Sequence, residues 1–273
     1  MAPDSKGFGR TCADLLERIR SRHPLIHHMT NWVVMNDTAN ATLALGALPV
    51  MSHAREEVAE MVGAAGALVL NPGTLYAELV EAMLVAGRRA NELGTPIVYD
   101  PVGVGATSFR NQTGERFLKE LRLAVVRGNS AEVGALAGAG GVVKGVESVQ
   151  GVADPAAVAR DLARRISGVV AITGKRDILS DGTRVLGVDN GHQMLTTITG
   201  TGCMATTVIA VFCAVESDRL VASAAALASY GLAAEMAARR ARGPGSFREA
   251  LLDNLYHLTP QALVRGVRIV ELR

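Results

Sequence analysis

Cysteine is scarce: Cys12, Cys203 and Cys213 are the only three in 273 residues, and no two form a C-x-x-C pair. An odd, scattered set excludes a disulfide framework or a structural zinc site and points to a reducing compartment. Charge of one sign is also missing. Twenty-eight Lys and Arg stand against 26 Asp and Glu, a net charge of +2. That balance gives no electrostatic footprint for nucleic acid or an anionic membrane. Long apolar runs are absent as well. Met204–Val215 and Leu220–Ala234 are separated by Glu216, Asp218 and Arg219. Neither stretch reaches the roughly 18–20 apolar residues that cross a bilayer, so both read as core helices. Met1–Arg20 has no apolar signal-peptide core. The expectation is a soluble cytoplasmic protein. Finally, the sequence contains no G-x-x-x-x-G-K-[ST] loop, and no G-x-G-x-x-G opens a helix after a first strand. Any nucleotide phosphate must be held by another loop.

What is present is an alternation of short apolar runs and longer helical patterns. Leu48–Val50, Ala67–Asn71, Ile97–Asp100, Ala124–Arg127 and Val169–Thr173 read as buried strands. Between them, Thr74 is placed to cap a helix running to Leu93, and Ser130 to cap Ala131–Ala137; Ala156–Ile166 has a helical pattern. Nearly continuous apolar strands separated by helices make a parallel sheet covered on both faces. Asp181-Gly182 between Ile178–Ser180 and Arg184–Val188 predicts an antiparallel hairpin at one edge. Gly138–Gly145 reads as a flexible loop, and the chain from Thr201 onward as mostly helical. No linker, repeat or low-complexity tract divides the chain, so residues 1–273 read as one domain.

In open parallel sheets ligands bind beyond the carboxyl ends of the strands. The segments there are Asn71-Pro72-Gly73, Asp100–Gly103, Arg127–Glu132, Thr173-Gly174-Lys175 and Thr199–Cys203. Thr199–Cys203, with two glycines, opens a long helix, where Gly200, Thr201 and Gly202 can offer backbone N–H groups to an anion. A tight turn is the plainer reading. Cys203 in the first turn predicts a lowered thiol pKa, against the reading of a small buried hydrophobe. Asp100 is placed to hold Mg²⁺ or to cap a turn. Glu132 faces the same metal or offsets a helix dipole. Arg127, ending an apolar strand, calls for a phosphate or for Glu132 as its counter-charge. His27-His28 precedes Thr30-Asn31 and an apolar helix near Asn36–Leu45; with no spaced third ligand the histidines read as packing groups rather than a metal site. Met51 lines an apolar pocket or fills core. A rival reading makes Cys203 the nucleophile of a hydrolase with His27, His28 or His192 as base.

Six segments in this order, PLIHHMTN (Pro24–Asn31), VMNDTAN (Val34–Asn40), LGALPVMSH (Leu45–His53), DPVGVGATSFR (Asp100–Arg110), RGNSAE (Arg127–Glu132) and TGTGCM (Thr199–Met204), closely resemble the hydroxyethylthiazole kinases of the ribokinase-like superfamily. The likeness spans roughly Leu15 to Val264. It implies a three-layer α/β/α sandwich with a mostly parallel central sheet, forming a homotrimer with active sites between subunits. The implied reaction is ATP- and Mg²⁺-dependent phosphorylation of the primary alcohol of 4-methyl-5-(2-hydroxyethyl)thiazole in thiamine salvage. By position, Met51, Asn31 and Gly200 would meet the thiazole alcohol. Arg127 and Thr173 would bind ATP, with Lys175 nearby, and Asp100 and Glu132 would serve Mg²⁺. Cys203 stands where many related kinases carry an aspartate base. His28, Asp37 and Tyr99 depart from the family pattern, bearing on pocket polarity more than on reaction class.

Overall fold

The computed structural model describes residues 5–138, 142–144, 147–150 and 152–272. The chain begins α1 (Ser5–Arg22), β1 (Leu25–Met29), α2 (Met35–Leu45), β2 (Leu48–Val50), α3 (Val58–Ala64) and β3 (Ala67–Leu70). It continues α4 (Ala77–Leu93), β4 (Ile97–Tyr99), α5 (Ser108–Glu120), β5 (Val125–Asn129) and α6 (Ser130–Ala137). A short ribbon, β6 (Val142–Lys144) with β7 (Glu147–Gln150), leads to α7 (Pro155–Ile166), β8 (Val169–Thr173), β9 (Asp177–Ser180) and β10 (Val185–Val188). A 3-10 turn at Gln193–Thr197 precedes α8 (Thr201–Cys213), α9 (Arg219–Ala238), α10 (Pro244–Tyr256), α11 (Pro260–Gly266) and β11 (Ile269–Leu272).

Nine strands form one sheet in the order β11-β10-β9-β8-β5-β4-β3-β1-β2. From β2 to β8 every pairing is parallel; β9, β10 and β11 continue it antiparallel. Because side chains alternate along a strand, each run serves two cores. Val69, Val98 and Val125 pack under α1, α2, α8 and α9, whereas Leu68, Leu70, Ile97 and Val126 pack under α4, α5, α6 and α7. This is the expected α/β/α sandwich.

Several details differ from the sequence reading. The antiparallel edge has a third strand, β11, which pairs with β10 through Ile269↔Val188 and Val185↔Leu272. β1 runs straight through His27 and His28, both buried. Burial pushes both imidazoles below their usual range, His28 to about 3. His27 donates Nε2–H to the Ser52 carbonyl at 2.8 Å. Thr42 donates its hydroxyl to the Thr38 carbonyl, so it accepts the His28 ring N–H at 3.1 Å. Thr74 caps no helix: its hydroxyl accepts the Trp32 N–H, and α4 starts after Tyr76. Asn129, not Ser130, caps α6. The segment Gly138–Gly145 contains β6, and residues 139–141 and 145 lie outside the described residues. α9 is longer than its apolar run suggests, 20 residues, and is apolar and long enough to cross a membrane; most of it is buried within the fold.

Candidate active site

The parallel strands deliver their polar C-terminal residues to one edge of the sheet, and the N-terminus of α8 closes over them. Asp100, just past β4, is buried. Its Oδ2 accepts the Thr206 hydroxyl at 2.7 Å and the Asn71 side-chain N–H at 3.3 Å, and lies 3.6 Å from Arg127 Nη1. Burial raises this carboxyl, with Arg127 and Thr206 pulling it back down. All three donors converge on Oδ2, and Oδ1 accepts no hydrogen bond among the described residues. Arg127, in β5, also donates from Nη2 to the Thr173 hydroxyl at 2.5 Å. Its Nε is buried without a partner among the described residues. A guanidinium so held, with a donor to spare, suits an anionic ligand. Arg127 thus pairs with Asp100 rather than with Glu132.

Glu132 is buried with both oxygens engaged. Oε1 accepts the Gly103 N–H at 2.9 Å and Oε2 the Asn129 N–H at 3.0 Å. Burial, then the neighbouring Asp100, pushes its carboxyl up to about 7 against these two bonds. No cluster of three or more His, Cys, Asp or Glu suited to a metal occurs among the described residues. The donor set still fits Mg²⁺, which takes one or two carboxylates and fills its shell with water and phosphate oxygens. Asp100 Oδ1 is the free oxygen. Glu132, tied to two backbone amides, fits as an acceptor for metal-bound water.

Gly200 precedes α8 in a left-handed conformation, φ 86°, and no side chain caps the helix. A Cβ on Gly202 would lie 2.9 Å from Arg127 Nη1, so glycine there lets the helix start approach the guanidinium. Thr201 donates its hydroxyl to the Leu195 carbonyl at 2.6 Å, and its own carbonyl accepts the Tyr230 hydroxyl at 3.0 Å. The helix start is therefore braced from below while its first N–H groups stay uncapped.

Cys203 departs from expectation. Burial, reinforced by Asp100, pushes its thiol up to about 12 rather than down. An exposed helix N-terminus contributes only about 0.3–1 kcal/mol, too little to offset that burial. The thiol is therefore neutral near pH 7. Its Sγ accepts an N–H from Asn31 at 3.7 Å. No histidine is among the groups that bond or shift this thiol. His27 and His28 serve packing, and His192 Nδ1 accepts the Met194 N–H at 3.2 Å. The hydrolase reading has no base. Cys12 and Cys213 are buried small hydrophobes, as expected.

Asn31 joins the thiol to the strand ends, since its Nδ2 also donates to Asn71 Oδ1 at 2.9 Å. Met51 is half-buried, just past edge strand β2. Lys175 is exposed on the β8–β9 turn.

The family's sequence model matches residues 16–261 under the description hydroxyethylthiazole kinase family. The chain belongs to the hydroxyethylthiazole kinase family. It is 65% identical over 261 residues to a hydroxyethylthiazole kinase of Desulforudis audaxviator, covering 96% of each chain. Against a hydroxyethylthiazole kinase of Chloroflexus aggregans it is 62% identical over 265 residues, covering 97% of this chain and 95% of that one. Its fold matches the structure of a hydroxyethylthiazole kinase protein from Pyrococcus horikoshii OT3 with a TM-score of 0.89 at 42% identity, over 96% of this chain and 99% of that one. A pyridoxal kinase of Bacillus subtilis in its ADP complex shares the fold at a TM-score of 0.59 and 16% identity, over 78% of this chain and 92% of that one.

One group of the site, Thr206, was not singled out in the sequence, and Asp37, noted there as a departure, gains a partner. Thr206 lies one helical turn beyond Cys203, and that spacing was the available signal for a second polar group on the same face of α8. Asp37 pairs with Arg248 of α10, whose Nε reaches Asp37 Oδ1 at 2.8 Å. The Asp37 side chain also neighbours Gly200: a Cβ there would lie 3.9 Å from Oδ2. This pairing gives the Asp37 carboxylate its counter-charge.

Proposed function

We propose that this chain, acting as a single ribokinase-like domain, transfers the γ-phosphoryl of ATP to the primary alcohol of 4-methyl-5-(2-hydroxyethyl)thiazole in cytoplasmic thiamine salvage. The observation that carries the reading is one cluster: the Arg127 guanidinium, the Thr173 hydroxyl and Asp100 set against the uncapped start of α8, with Cys203 in its first turn.

Phosphoryl transfer passes through a loose transition state, so positioning and charge neutralisation supply most of the acceleration. Arg127 and Thr173 hold the ATP phosphates, and Lys175 adds a mobile positive charge at the rim. The N–H groups of Gly200, Thr201, Gly202 and Cys203 receive the transferring phosphoryl. Mg²⁺, when bound, would offset the charge of the triphosphate, and Asp100 and Glu132 are the residues that would hold it and its water. The alcohol gives up its proton late in such a transition state, so no strong base is required. A neutral Cys203 thiol orients the hydroxyl, with Asn31 beside it and Met51 and Gly200 bounding the thiazole.

A homotrimer with active sites between subunits is part of this reading. Its support is the apolar surface beside the site, where Trp32 is 65% exposed and Val33 61%, next to Asn31. Sedimentation velocity tests it: a trimer is expected, and a monomer at micromolar concentration contradicts it.

The reaction is tested by ADP release from Mg·ATP with and without the thiazole alcohol, checking the product mass for one added phosphoryl group. Thiazole-dependent turnover abolished by a chelator is expected. A folded protein that binds ATP without such turnover contradicts the reading. Cys203→Ala should lower kcat and retain residual activity. A gain in Cys203→Asp would instead make position 203 a base, since a carboxylate is ionised at neutral pH.

A further inference from the structure

Asn71 stands between the two halves of the site, and each end of its amide has a fixed task. It follows β3 and is buried. Its Oδ1 accepts two N–H groups, from Asn31 Nδ2 at 2.9 Å and from the Gly73 backbone at 3.2 Å. Its Nδ2 donates to Asp100 Oδ2 at 3.3 Å. An amide has one acceptor end and one donor end, so a carboxylate on one side and two N–H groups on the other leave a single orientation. The Asn31 amide is fixed in turn. Its Oδ1 accepts the Val33 N–H at 3.1 Å, which turns Nδ2 toward both Asn71 and Cys203 Sγ. The loop after β3 presses close: a Cβ on Gly73 would lie 2.6 Å from Asn31 Nδ2.

We propose that Asn71 is a positioning residue for the transfer, setting the Cys203 thiol together with Asn31 and the Asp100 carboxylate directly, so that both present the correct atom to the reactants. On the thiol side, Sγ accepts from Asn31, which leaves the S–H and the remaining lone pair for the substrate hydroxyl. On the carboxylate side, the Asn71 N–H helps hold Oδ2 within the protein and leaves Oδ1 for the metal side. A small error in placing either group is costly, because the reacting atoms must meet within a few tenths of an ångström of their productive geometry. Asn71 touches neither reactant in this scheme. Its effect belongs to kcat, and it reaches Asp100 directly and the thiol both by its own contact and through Asn31.

The proposal rests on the kinase reading, and wild-type turnover tests that reading separately from the variants. The experiment measures kcat and both KM values for Asn71→Ala, Asn31→Ala and the double variant, with melting temperatures. Asn71→Ala should lower kcat by about 10- to 100-fold and leave the KM for ATP within about threefold. The double variant should fall no more than about threefold below the worse single variant, because the two residues act in one chain. A purely structural role would instead multiply the two losses and lower the melting temperature in step. Multiplying losses, or a kcat for Asn71→Ala within about threefold of wild type, overturns the proposal. Asn71→Leu, close to isosteric, carries the same test should the alanine variant fail to fold.

Discussion

Two helices, α6 and α8, begin at the same edge of the sheet and begin differently. The start of α6 is closed on itself. Asn129 Oδ1 accepts the N–H groups of Ala131 and Glu132 at 3.0 and 2.9 Å, and Glu132 reaches back to the Asn129 N–H. The start of α8 has glycine at the cap, no side-chain acceptor, and the Arg127 guanidinium close to Gly202. Every helix leaves its first N–H groups without intrahelical partners. Where the sequence supplies its own acceptors, as in Asn129-Ser130-Ala131-Glu132, the end serves the fold. At α8 it supplies glycines and a nearby cation instead, the arrangement on which the proposed phosphoryl site rests. The two ends thus set a closed cap beside an open one within one edge of the sheet.

The largest expected effect breaks the open end. Gly202→Ala places a methyl against Arg127, and kcat should fall by about 100-fold, the scale of losing one preorganised donor to a transition-state oxyanion. Its melting temperature should stay near wild type, because φ at 202 is not in the left-handed region. Steady-state kinetics beside a thermal melt would check it, and undiminished kcat would refute the cradle.

A second closed turn sharpens the contrast at intermediate size. Asp177 Oδ1 accepts the Gly174 N–H at 2.9 Å, and burial pushes its carboxyl up to about 6. The folded protein therefore holds this proton more tightly than the unfolded chain. The corresponding stability is full below about pH 4 and is lost as pH rises through about 6, on the order of 3 kcal/mol. Asp177→Asn keeps the acceptor without the charge, so its melting temperature relative to wild type should rise between pH 5 and pH 8. A difference that does not change with pH would contradict the buried carboxyl.

The smallest effect is at the closed end. Asn129→Ala removes the α6 cap, at about 1 kcal/mol, or roughly 2–4 °C in melting temperature. Its kcat should stay within about threefold of wild type. A large kcat loss without a melting shift would give α6 a role in catalysis.

Much of this arrangement was readable from the residues. Apolar runs such as Val169–Thr173 declared buried strands, and Thr199–Cys203 announced a glycine-opened helix beside the strand ends. β1 was hidden because His27 and His28 interrupt its apolar run; their partners, Ser52 and Thr42, are brought in only by the fold. β11 escaped because a four-residue strand is defined by β10, about 80 residues earlier, more than by its own pattern. The Cys203 pKa was misjudged because local position suggests a helix dipole, whereas burial beside Asp100 is a tertiary fact. Asn71 appeared among the strand-end residues, but its task became visible only with Asn31 and Asp100, 40 and 29 residues away, at either end of its amide.

The central claim is that the open start of α8 holds the phosphoryl group in flight. It is tested most directly by ADP affinity with and without aluminium fluoride, a mimic of that group, in the presence of Mg²⁺ and the thiazole alcohol. Wild type and Asn129→Ala should bind ADP far more tightly when fluoride is added. Gly202→Ala should lose the gain, whatever ADP affinity is lost by displacing Arg127. A fluoride gain that survives in Gly202→Ala would place the transferring group elsewhere and contradict the account.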